Sequence, residues 1–172
     1  MKLIVLSFLL TICASISNSA VFTYEVMGTS KSKVFSVSEN RIYVDYSNES
    51  IVSSSIGVYG ISECQGIAEI ISGVTTSNVM CKYTEQNGDT NFIQFKSTGD
   101  SDASTQGTQT FTFISGTGRW KELVGQKCIG ATSSLFTKEL GEGIIEDKFM
   151  WVGKCEVPDT TLERVKNYKK SQ

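Results

Sequence analysis

The chain has 172 residues, 16 Lys and Arg against 18 Asp and Glu, no histidine, and a formal net charge of −2. That length suits one domain with a core of its own, and so mild a balance argues against an electrostatic nucleic-acid surface. The lack of histidine excludes Ser-His-Asp triads, Cys-His nucleophiles and histidine-bearing zinc sites, so acid–base work would fall to carboxylates, tyrosines or lysines.

Lys2, the apolar run from Leu3 to Ile12 and the small residues Ala14, Ser15, Ser17, Ser19 and Ala20 read in order as a secretory signal peptide over residues 1–19. About ten apolar residues are too few to cross a bilayer, and no later segment is long and apolar enough to do so. A β-domain over 20–158 and a tail over 159–172 would remain, with 15 basic and 18 acidic side chains. The expected location is secreted or periplasmic. Cys13 leaves with the signal, and Cys64, Cys81, Cys128 and Cys155 stay. An even count in a secreted chain reads as two disulfides. Cys64–Cys81 and Cys128–Cys155 are the preferred pairs, since each would join sequential strands that tend to be neighbours. A four-cysteine zinc site lacks the close C-x₂₋₄-C spacing.

Val21–Met27 is the first expected strand. Arg41–Tyr46 alternates, with Ile42, Val44 and Tyr46 on one face and Arg41, Tyr43 and Asp45 on the other. Asn48-Glu49-Ser50 is a glycosylation sequon, relevant at Asn48 in a eukaryotic source, and suggests an exposed turn. Gly60–Ile71 is extended. Val79–Thr84 leads to Asn87-Gly88, a pair suited to the type I′ turn of a hairpin, and then to Asn91–Lys96. Asn87 and Asp89 are too short a set for a calcium loop and lack its closing glutamate. Ser97–Thr108 reads as a mobile loop. Thr110–Ile114 is a strand with Phe111 and Phe113 on one face. Lys127–Phe136 and Asp147–Glu156 follow, separated by Gly141-Glu142-Gly143. The tail carries Leu162 and Val165 among charges and reads as a short helix or a frayed end. Seven or eight short antiparallel strands suit a closed barrel or a sandwich, and pattern alone does not choose.

The segment Ser115-Gly116-Thr117-Gly118-Arg119-Trp120-Lys121-Glu122-Leu123-Val124-Gly125 resembles the G-G-[ST]-G-x-[aromatic]-x-x-x-x-G stretch of the allene oxide cyclase and dirigent superfamily, with Ser115 in place of the first glycine. The likeness spans roughly residues 60–155. It implies an all-β, single-domain, eight-stranded antiparallel barrel of calycin-like form whose interior holds a small hydrophobic molecule. It carries no catalytic residue across. Gly116, Gly118 and Gly125 read as a structural corner, with Trp120 dropping into the core. A phosphate loop is disfavoured, because the residues after Gly118 read as strand and the P-loop lysine is missing.

Tyr43, Asp45, Glu63, Lys82, Tyr83 and Lys148 are the ionisable strand residues available for chemistry, each more simply read as solvent-facing. Tyr43, Tyr59, Phe92, Phe95, Phe111, Phe113, Phe149 and Trp151 either line a cavity or fill a solid core. Tyr43, Phe92, Phe111, Phe113 and Trp151 are the candidate ligand-binding set. The resulting expectation is a secreted, disulfide-stabilised barrel that binds a small apolar ligand or a protein partner without catalysis. The alternative is a cyclase or isomerase acting on a small hydrophobic substrate inside the barrel. No cofactor, metal, nucleic-acid partner or membrane span is expected.

Overall fold

The computed structural model describes residues 19–100 and 108–170. Eight strands run in sequence order around one closed ring: β1 (Ser19–Ser38), β2 (Arg41–Ser54), β3 (Tyr59–Ile71), β4 (Val74–Glu85), β5 (Thr90–Asp100), β6 (Thr108–Gly116), β7 (Lys127–Gly141) and β8 (Ile144–Pro158). Each strand pairs antiparallel with its neighbour in sequence, and β8 returns to β1 with Ser19 opposite Pro158. The barrel expected from the sequence is therefore present. A short helix, α1 (Asp159–Asn167), follows β8.

The connections alternate between two ends. The β1–β2, β3–β4 and β7–β8 turns lie at one end. Ser72-Gly73 and Glu142-Gly143 each place two residues at positive φ (50° and 84°; 54° and 73°), the geometry of a type I′ hairpin. The other end carries the β2–β3 and β4–β5 loops and a 3₁₀ segment, Gly118–Leu123, between β6 and β7. α1 packs over the same end, with Leu162 and Val165 buried.

The core sits at this second end. Phe22, Phe111, Phe113, Trp120, Leu123 and Val157 are essentially inaccessible to solvent. Their rings interlock edge-on or tilted: Trp120 lies 5.3 Å from Tyr83 and 5.9 Å from Tyr24, and Phe111 lies 5.1 Å from Trp151. Both disulfides have the expected pairing. Cys64 faces Cys81 across β3 and β4, and Cys128 joins Cys155 across β7 and β8.

Several local expectations are corrected. β1 runs to Ser38, well past Met27, and β5 continues to Asp100, where a loop was expected to begin at Ser97. Residues 101–107 of that loop lie outside the described residues, as does the signal segment 1–18. The strand expected after Gly118 is instead the 3₁₀ turn, because Trp120 and Leu123 are three apart and that spacing puts both on one helical face. Asn87-Gly88 is not a two-residue I′ turn. Only Gly88 has positive φ (85°), and the Asn87 side-chain carbonyl accepts the Asp89 backbone N–H at 2.7 Å, so the loop spans four residues. Asn48 lies in mid-strand with its side chain half-buried, not in an exposed turn. Of the two readings of the tail, the short helix is the one present, docked over Asp159–Asn167.

The glycine corner works by close approach. Gly118 has φ +53°, and a Cβ there would overlap the Asp89 carboxylate. Thr117 bridges the same loops: its backbone N–H donates to the Thr90 carbonyl at 2.8 Å, and its Oγ1 accepts the Thr90 N–H at 2.8 Å.

Candidate functional site

Above the packed end the barrel is hollow. A chamber of about 730 Å³ occupies the half nearer the β1–β2, β3–β4 and β7–β8 turns. Its floor is formed by Phe95, Phe149 and Trp151. Trp151 reaches this position because Gly130 and Gly153, opposite each other on β7 and β8, leave no side chain under its indole; a Cβ on either would overlap the ring.

The chamber walls mix two kinds of residue. Val26, Val34, Ile42, Val44, Val79 and Ile93 give apolar surface. Interleaved with them are hydroxyls on almost every strand, including Ser30, Ser50, Ser62, Ser77 and Thr132. Strand alternation aims these residues inward, since they share parity with the core residues lower on the same strands. Ser, Thr and Val are small, so the ring of strands closes without filling its own interior.

One sector is more polar than the rest. Register places Thr137 opposite Asp147, Asp147 opposite Ser30, and Ser30 opposite Asn48 across β7, β8, β1 and β2. The Asn48 amide donates to the Tyr46 hydroxyl at 2.8 Å. Thr137 Oγ1 donates to Asp147 Oδ1 at 2.9 Å, and Ser134 Oγ donates to the same oxygen. Burial raises the Tyr46 phenol above its ordinary value, the Asn48 and Ser30 hydrogen bonds oppose that rise, and the nearby Asp147 carboxylate adds to it. Tyr46 is therefore a neutral hydroxyl at physiological pH.

A second polar group is sealed into the packed end. Glu85, with a fully buried side chain, forms an ion pair with Arg119 at 3.2 Å. Burial raises its carboxyl, Arg119 pulls it back and Asp89 pushes it up again. Burial also raises the phenols of Tyr24 and Tyr83, more than any other contribution. Arg119 donates to the Val165 carbonyl at 2.9 Å and lies 5.3 Å from the Tyr168 ring, so it ties α1 to the barrel end. Lys170 reaches Asp89 at 3.4 Å and the Asn87 carbonyl at 3.0 Å. These contacts give the cluster a structural role and leave the Asn87–Asp89 loop occupied by the protein's own groups.

Of the five aromatics expected to bind ligand, only Trp151 lines the chamber. Phe111 and Phe113 lie beneath it in the packed end. Tyr43 shares the outward parity of Arg41 and Asp45 and stacks on Phe35 at 6.3 Å; Phe92 borders a groove on the outer wall with Lys82 and Glu63. Tyr59 is also outward and exposed, whereas Phe95 and Phe149 join Trp151. Among the ionisable candidates, Tyr83 is buried in the packed end, and Asp45, Glu63, Lys82 and Lys148 face outward. Sequence reasoning missed Asp147, Asn48 and the hydroxyl lining. Alternation along Arg41–Tyr46 groups Tyr46 with Ile42 and Val44, and the structure turns that face inward.

The outer wall carries an apolar stripe in register across four strands: Met150 opposite Met27, Met27 opposite Ile51, and Ile51 opposite Ile61. Ile51 is 68% exposed and Met27 and Ile61 are 57% exposed.

No family model and no curated protein sequence matches this chain. Among the described residues no helix is long and apolar enough to cross a membrane.

Proposed function

We propose that this chain is a secreted, disulfide-stabilised barrel that binds one small, mainly apolar molecule in its chamber without transforming it. The observation that carries this reading is the chamber itself. Its volume of about 730 Å³ falls in the range of small-molecule sites, and apolar walls with a few placed polar groups are what such sites use. The two disulfides are compatible with an extracellular setting.

The test is titration of the purified protein with the neutral fluorophore N-phenyl-1-naphthylamine, beside an Ala68→Trp variant that fills the chamber from β3. Saturable binding at one site per chain, lost in the variant, is expected. No binding to the wild type, or equal binding to the variant, overturns the reading. Intact mass of protein from its secretion medium should show a chain beginning at Ala20 and a gain of four hydrogens on reduction.

Asp147 and Tyr46 favour one second reading, a cyclase or isomerase of the kind suggested by the segment around Gly116–Gly125. A carboxylate and a neutral phenol facing an apolar chamber are the groups that could orient a reactive substrate and move a proton. Conversion of a bound substrate, abolished in both Asp147→Asn and Tyr46→Phe, would establish it. For a protein partner, the Met150–Met27–Ile51–Ile61 stripe offers the natural contact surface.

A further inference from the structure

We infer that the chamber selects ligands bearing a cationic amine on an apolar body, with Asp147 as the counter-ion; this rests on the chamber being a small-molecule site. Asp147 is a carboxylate that lines a largely apolar cavity. Among the described residues no Lys or Arg forms an ion pair with it. The hydroxyls of Ser134 and Thr137 both donate to the same oxygen, Oδ1. They fix the carboxylate without neutralising it, and Oδ2 retains capacity to accept further hydrogen bonds.

The surroundings favour the same chemistry. Next to Asp147 in the ring of paired residues lies Ser30, then Asn48, whose amide is committed to the Tyr46 hydroxyl. The Asn48 Oδ1 is buried and accepts no hydrogen bond from the described residues. The sector thus offers acceptor atoms and one negative charge, a set that suits a donor-rich cation. An ammonium group carries several N–H donors and no acceptor, and its hydrogen bond to the half-buried Asp147 carboxylate would be charge-assisted. The aromatic floor of Phe95, Phe149 and Trp151 would receive the apolar end, and an indole face tolerates a nearby cation. Lys96 also borders the chamber, but it stands on the outward parity of β5 and is exposed. Among the described residues that line the chamber it is the one cation, so a ligand carboxylate placed in this sector would face Asp147.

Displacement of N-phenyl-1-naphthylamine by octylamine, octanol and octanoate separates these cases, since the three probes share a chain and differ at one end. Octylamine should displace the fluorophore at least about tenfold more tightly than octanol, and octanoate should be the weakest. Asp147→Asn should remove the amine preference and leave octanol binding intact, which also reports that the variant is folded. Ser134→Ala combined with Thr137→Val, which keeps the carboxylate but frees its orientation, should weaken octylamine by a smaller factor. If octanol binds as well as octylamine, if octanoate binds best, or if Asp147→Asn keeps the preference, the inference is wrong while the chamber remains a binding site. If none of the three displaces a fluorophore that does bind, the inference alone falls; if the fluorophore itself does not bind, both readings fall.

Discussion

The two ends of the barrel use the same eight strands and reach opposite results. Toward α1, the inward positions are Phe22, Tyr24, Tyr83, Phe111 and Phe113, and Trp120 fills what the wall leaves open. Toward the hairpin turns, the inward positions become Ser30, Ser32, Val34, Ile42, Val44 and Ser77. The difference is a change in side-chain volume at constant backbone geometry. It shows that the hollow is written into the strands rather than left over from poor packing. It also assigns tasks: the aromatic end supplies stability by burial, and the hydroxyl end is free to be complementary to something else.

The largest expected effect is Trp120→Ala. Removing a fully buried indole from the packed end should cost about 3–5 kcal/mol in urea unfolding, whereas Val44→Ala on the chamber wall should cost less than about 1.5 kcal/mol. Equal losses would erase the distinction between the two ends. Next come the disulfides. Closing loops of 17 and 27 residues gives each bond a chain-entropy contribution of about 3 kcal/mol. Replacing Cys128 and Cys155 by alanine should cost more than replacing Cys64 and Cys81, because Cys155 is wholly buried and the other pair borders the chamber. In a denaturation comparison of the two double variants the longer loop accounts for only about 0.4 kcal/mol, so a larger difference reports the packing increment.

Gly118→Val should cost about 2 kcal/mol or more, from strained backbone at φ +53° and overlap with Asp89, and should lower Tm without altering fluorophore binding at temperatures where the variant is folded. A binding defect in a fully stable variant would give the loop a direct role in the site.

The smallest effect concerns pH. Burial raises the Glu85 carboxyl above its ordinary value of 4.5, so the folded chain holds that proton more tightly than the unfolded chain. The contribution of Glu85 to stability should therefore fall as pH rises from the ordinary value through the folded one, and stay level above it. Glu85→Gln removes this dependence. The Tm of the variant relative to wild type should rise as pH increases from about 4 to about 8, measured by calorimetry. A change of opposite sign would mean that Arg119 outweighs burial at this site.

How much of this was legible in the sequence follows from the same division. The packed end announces itself in the alternating Phe111 and Phe113 of β6, and one stretch of chamber wall does so in the alternating Ile42, Val44 and Tyr46 of β2, but there the signal stops. The cysteines fall on neighbouring strands, which made their pairing readable. The hollow end hides its inward face. Where inward residues are serines and threonines, alternation between apolar and polar disappears, so the far half of β1 after Met27 carries no strand signal and the end of β5 reads as loop. Asn48 looked like a turn residue for the same reason. The chamber residues are hard to recognise because they are chosen not to fill space, and hydrophobic periodicity detects only residues that do. Asp147 was visible as the start of a late strand, but its partners Ser30, Thr137 and Ser134 are distant in sequence and meet only through register.

The seams between strands are unequal, and this bears on how the ring assembles. Among the described residues β6 and β7 share five register pairs, although they are consecutive in sequence. β1 and β8 share fifteen, although Ser19 and Pro158 stand at opposite ends of the fold's chain path. The hairpins can zip from their turns with local contacts and little loop entropy. The β1–β8 join must wait until the intervening strands are in place, and only then does its long ladder form. The costliest closure in chain entropy thus carries the longest run of hydrogen bonds, which makes ring closure the cooperative step that separates an open meander from a finished barrel.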